Sequence, residues 1–205
     1  MNSEQAGANK APQNQNRSKN PLFNMTLAAM FLALGLVLPF LTGQIPQVGS
    51  MLLPMHIPVL LCGLLCGWKY GLGVGFVLPL LRFALFGMPP IYPTGIAMAF
   101  ELATYGFVIG LLYTHARWKC VVSLYRCMLL AMLAGRIVWG FAEAALLGLG
   151  TGGFTWQMFV AGAFANAIPG ILLQLVLIPG VMVALNRTGL VPFSRRAGAE
   201  PRSNA

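Results

Sequence analysis

The sequence predicts an all-α integral membrane protein with six transmembrane helices and both termini in the cytoplasm. Three observations carry this prediction. Only 8% of the 205 residues are charged, whereas soluble domains hold about 25%, so a water-facing surface cannot be built from this composition. No Lys, Arg, Asp or Glu lies between Lys19 and Lys69, and none lies between Glu143 and Arg187. The basic residues, finally, collect on one side of the spans that these stretches define.

About 20 apolar residues cross the hydrocarbon core, and six runs qualify in order. The first, Leu22 to Leu41, is longer than a signal-peptide core and is followed by no small-residue cleavage site, so it reads as a span. The second and third, Met51 to Gly67 and Gly71 to Gly87, are short, which implies local thinning or pocket lining. Gly63, Gly67, Gly71 and Gly75 recur every fourth residue across the turn between them, a spacing that lets two helix backbones approach closely. The fourth is Thr94 to Tyr113. The fifth and sixth, Val121 to Gly148 and Met158 to Leu185, are long, which implies tilt or an interfacial first turn.

Orientation follows from Lys and Arg, which are retained on the cytoplasmic side of short loops. Lys10, Arg17 and Lys19 precede span one, Lys69 lies between two and three, and Arg117, Lys119 and Arg126 surround the start of five. Arg187, Arg195, Arg196 and Arg202 follow six, so eleven of the thirteen basic residues share one side and the opposite loops hold none. The formal net charge of +9 is thus explained by topology, with attraction to anionic membrane lipid as a secondary effect and no nucleic-acid partner needed. Residues 21–190 make one membrane domain. Residues 1–20 and 191–205, polar and without periodicity, read as disordered cytoplasmic tails.

The absent chemistry narrows the class. No Lys follows a Gly, so there is no Walker A loop, and the chain has no Asp, which removes paired-aspartate proteolysis and Asp-rich metal sites. There is no HExxH, and no Ser sits in a GxSxG setting. An enzyme is not expected, and neither is a cofactor. Cys62 and Cys66 share a face of span two but read as small buried hydrophobes, and no metal site is expected.

Four ionisable residues remain inside the spans: Arg82, Glu101, Arg136 and Glu143. Each is costly in lipid, so each should face the bundle interior with a partner. They cluster in the outer half, either as two internal salt bridges or as a substrate site. His56, where an outer loop enters span two, can donate to a ligand or serve as a structural histidine. The outer loops Thr42 to Leu53, Gly87 to Pro93 and Leu149 to Gln157 are uncharged and rich in Pro, Gly and aromatic residues. They read as a lid, with Tyr92, Phe154 and Trp156 as stacking surfaces or as members of an interfacial aromatic belt. Asn166 in span six completes the candidate set for substrate.

The first helix carries Ala29-Met30-Phe31-Leu32-Ala33, an AxxxA pattern, and the run Leu53 to Gly67 leads into a Gly-rich turn. With six short helices and a cytoplasmic N-terminus, the chain over residues 22 to 187 resembles the substrate-binding S components of energy-coupling factor (ECF) transporters. That resemblance implies a subunit of the cell membrane that captures a water-soluble vitamin from outside. It implies as partners a membrane coupling subunit, docked on Ala29 and Ala33, and two cytoplasmic ATPase subunits, which accounts for the missing Walker motif. Pantothenate, riboflavin and pyridoxine-like compounds are all compatible substrates. The string Met55-His56-Ile57 is similar to the N-terminal metal-binding motif of cobalt and nickel relatives, but it lies far from the chain's amino group, so a metal substrate is not expected. Two alternatives stand beside this reading. One is a proton-coupled secondary transporter using Glu101 or Glu143, and the other is a purely structural membrane subunit.

Overall fold

A computed structural model describes residues 21–41, 53–116, 120–148, 155–162 and 167–187. Among these residues every regular element is helical: α1 (Pro21–Leu41), α2 (His56–Cys66), α3 (Trp68–Phe86), α4 (Ile96–His115), α5 (Val121–Leu147), α6 (Trp156–Val160) and α7 (Ile168–Arg187). A single wide turn, Ile91–Gly95, leads into α4. Both segments expected to form tails lie outside the described residues, as do two of the three outer loops except for their last residues.

Five helices are long and apolar enough to cross a membrane: α1, α3, α4 with its preceding turn, α5 and α7. Their large apolar side chains face outward, with Leu22, Phe141 and Val176 each more than 70% exposed. Such faces have no place in water and fit lipid. The short second span is α2, only 11 residues long, or about 17 Å at 1.5 Å per residue. Ten of those residues are buried, so α2 is wrapped by protein and does not have to match the bilayer thickness.

The centre of the bundle is α4, which packs on α2, α3 and α5, while α1 lies against α2 and α3, and α7 against α5 and α2. Glycine explains how three helices meet so closely. A methyl group added at Gly71 would stand 2.6 Å from the Gly106 carbonyl oxygen and 2.8 Å from Gly63 Cα, and one at Gly110 would stand 2.6 Å from Trp68 Cα. The glycine spacing predicts contact between spans two and three. The structure adds α4 as the third partner, through Gly106 and Gly110. Gly67, by contrast, has open space around it and serves the turn, with φ +93°.

Ends and kinks follow local chemistry. Gly87 ends α3 in the left-handed region and its N–H donates to the Phe83 carbonyl. Pro179 inside α7 has no N–H for the carbonyl four residues earlier, and the Tyr125 hydroxyl of α5 donates to that Leu175 oxygen at 3.0 Å. In lipid such a carbonyl has no water to turn to.

Of the sixth apolar run, expected as a span from Met158 to Leu185, the structure describes α6 with the two residues after it and α7, while residues 163–166 lie outside the described residues. Pro169 falls in the first turn of α7, where its missing N–H leaves no bond unmade. The 20-residue α7 is about 30 Å long, close to the hydrocarbon thickness.

Candidate functional site

The site is built around α4. Glu101 lies on its buried face, and Tyr105, one turn later, shares that face. Glu101 Oε1 stands 3.0 Å from Arg136 Nη1 on α5 and 3.4 Å from His56 Nε2 at the start of α2. Three helices thus converge on one carboxylate oxygen. Exposure of these side chains is 7% or less, so the pair acts in low dielectric, where its attraction is far stronger than at a surface. The approach is close, yet no Arg136 N–H is aligned for a hydrogen bond to that oxygen. The contact is electrostatic rather than a two-pronged clamp.

Tyr105 frames this cluster. Its ring meets the His56 ring edge-on at 5.0 Å and 82°, and Gly135 makes room for it, since a methyl there would stand 2.6 Å from Tyr105 Cε2. Several buried polar atoms have no hydrogen-bond partner among the described residues: both His56 ring nitrogens, Glu101 Oε1, Arg136 Nε and Nη2, and Gln174 Nε2. Gln174 lies in the buried row Gly170, Gln174, Ile178 of α7, the helix that packs on α5 and α2. Buried polar groups in native proteins are almost always satisfied, so such a concentration points to a bound polar molecule or water.

The other sequence-derived candidates fall elsewhere. Arg82 is buried on α3, but it turns to α1, donating to the Leu36 carbonyl at 3.3 Å and lying 5.8 Å and 6.0 Å from the Phe40 and Phe86 rings. It forms no ion pair among the described residues. Of the two internal salt bridges that were one alternative for the four charges, the described residues hold one, Arg136 with Glu101. Glu143 is buried two turns beyond Arg136 on α5. It too forms no ion pair among the described residues. Tyr92 is mostly exposed and its hydroxyl donates to the Leu146 carbonyl, pinning the turn before α4 to the last turn of α5. Asn166 lies outside the described residues. Ala29 and Ala33 are exposed on the face of α1 opposite the buried row Ala28, Phe31, Gly35.

Two members of the site were not singled out from sequence. Tyr105 had a signal, because it follows Glu101 by four residues on one helix face. Gln174 had another, being the single amide inside the apolar run Ile171–Val176. A separate cavity of about 330 Å³ opens at the other end of α2, lined by residues that include Cys66, Lys69, Tyr70 and Thr114. It does not include the Glu101 cluster.

Lipid-facing helices wrapped around a buried polar cluster define a multi-pass helical membrane protein. The chain belongs to the ECF transporter substrate-specific component family, whose model matches residues 23–182. Members of this family are substrate-binding subunits of transporters, working with a membrane and ATPase module, and are not enzymes. No curated protein and no solved structure matches the chain.

Proposed function

We propose that this chain is the substrate-capture subunit of an ATP-driven importer in the plasma membrane, binding a water-soluble vitamin or precursor from outside. Pantothenate, riboflavin and pyridoxine-like compounds are the classes considered. The observation that carries this reading is the set of unsatisfied buried groups on His56, Glu101, Arg136 and Gln174. A bundle that needed these residues only as internal locks would spend their hydrogen bonds on one another. The chain crosses the membrane six times, with α2 as the short protein-enclosed crossing, and both termini lie in the cytoplasm. The exposed Ala29 and Ala33 face of α1 docks on the membrane coupling subunit, because two small side chains one turn apart let another helix come close.

The test is uptake in cells together with mass spectrometry of the small molecules that co-purify. Uptake should stop on ATP depletion and persist when the proton gradient is collapsed. The reverse result would favour the proton-coupled alternative, for which Glu143, buried and without an ion pair among the described residues, is the observation in support. A purified protein that binds nothing would leave a structural subunit.

A further inference from the structure

Arg136 uses only part of its guanidinium. Nη1 is the nitrogen that faces Glu101, while Nε and Nη2 are buried and have no hydrogen-bond partner among the described residues. Nε–H and one N–H of Nη2 lie side by side on the same edge of the planar group. Two parallel donors at that spacing match the two oxygens of a carboxylate. Glu101 therefore faces Nη1, the Tyr105 hydroxyl also bonds this guanidinium, and the Nε–Nη2 edge has no partner among the described residues. A structural ion pair would have the opposite form, with the fork itself closed on Glu101.

The second observation lies on the same helix. Glu143 is 5% exposed and forms no ion pair among the described residues, although an isolated charge is costly at such a place. It follows Arg136 by seven residues, so both sit on one face of α5, about 10 Å apart along the axis. Among the described residues Arg136 has no anion on its Nε–Nη2 edge, and Glu143 has no cation. An anionic ligand alone would answer the first and aggravate the second, since Glu101 already brings a carboxylate to the cluster. A ligand with one charge of each sign answers both.

We infer that the substrate is a zwitterion whose carboxylate is received by the Nε–Nη2 edge of Arg136 and whose cationic nitrogen is directed toward Glu143. His56 and Gln174 supply further polar contacts from α2 and α7. This rests on the reading of the chain as a substrate-capture subunit, and within it the named vitamins each answer at most one demand: riboflavin is neutral, pantothenate carries a carboxylate but no cationic nitrogen, and pyridoxine carries no carboxylate.

The probes are straight-chain ω-amino carboxylates of graded length, with their methyl esters and N-acetyl derivatives, offered to the purified full chain in detergent. Binding is read by thermal stabilisation and by calorimetry. One range of chain lengths should bind about tenfold or more tighter than either derivative, equivalent to about 1.4 kcal/mol. Arg136→Lys should abolish the preference for acid over ester and keep the preference for free over acetylated amine, because an ammonium lacks the planar fork. Glu143→Gln should do the converse. Each preference is a ratio within one variant, so a general loss of stability cannot imitate it. Equal binding of acids and esters, preferences unchanged in both variants, or no binding at any length would overturn the inference. Loss of association with the coupling module alongside intact charge preferences would instead overturn the functional reading alone.

Discussion

Arg136 Nη1 stands 3.0 Å from Glu101 Oε1 in the interior of the bundle, tying α5 to α4 at the point where α2 brings in His56. A buried pair contributes little net stability relative to a well-packed apolar pair, but breaking it leaves an uncompensated charge. Glu101→Ala should therefore lower stability by about 3–5 kcal/mol. Adding Arg136→Gln to it should recover part of that loss, so the coupling appears in a double-mutant cycle of thermal unfolding in detergent. Strictly additive effects would show that the two side chains do not interact.

Arg82 offers a contrast within the same protein. Its hydrogen bond to Leu36 and its place near two aromatic rings tie α3 to α1 and involve no group of the Glu101 cluster. Arg82→Lys should cost about 1 kcal/mol of stability and leave the affinity for whatever co-purifies unchanged. A fall in affinity without a fall in melting temperature would move Arg82 into the binding site.

Gly106 tests the packing of the central helix. A side chain there would collide with the backbone of α3 at Gly71, whereas Gly73 has open space around it. Gly106→Ala should destabilise by about 1–3 kcal/mol or more, as overpacking does. Gly73→Ala should be neutral or stabilising by up to about 1 kcal/mol, since Ala is the better helix former. Comparison of the two melting temperatures checks this.

Ala29 and Ala33 separate capture from coupling. Both are exposed on α1, away from the bundle. Ala29→Trp or Ala33→Trp should leave ligand affinity of the isolated chain near wild type and abolish both uptake and co-purification with the coupling subunit. Survival of uptake in both variants would remove α1 as the docking face.

The proposed topology predicts reach from outside. With the native cysteines replaced, a membrane-impermeant thiol reagent should label Ser50→Cys, Gly87→Cys and Gly152→Cys in sealed cells. Lys69→Cys and Arg117→Cys should stay unlabelled until the membrane is opened, and labelling of either in sealed cells would reverse the orientation.

The membrane class, the helical fold and most span boundaries were legible in the sequence because lipid imposes a one-dimensional rule. A helix must stay apolar for its whole crossing, and uncharged stretches such as Asn20 to Trp68 record that directly. The four intramembrane charges stood out for the same reason, since each is costly there. Which of them meet was decided only by the tertiary structure. Glu101 pairs with Arg136 and His56, and Arg82 turns instead to α1, because partner choice depends on the rotation of each helix about its axis and on which neighbour it packs against. That rotation is governed by contacts between residues far apart in the chain, such as Gly71 against Gly106 and Gly135 beneath Tyr105.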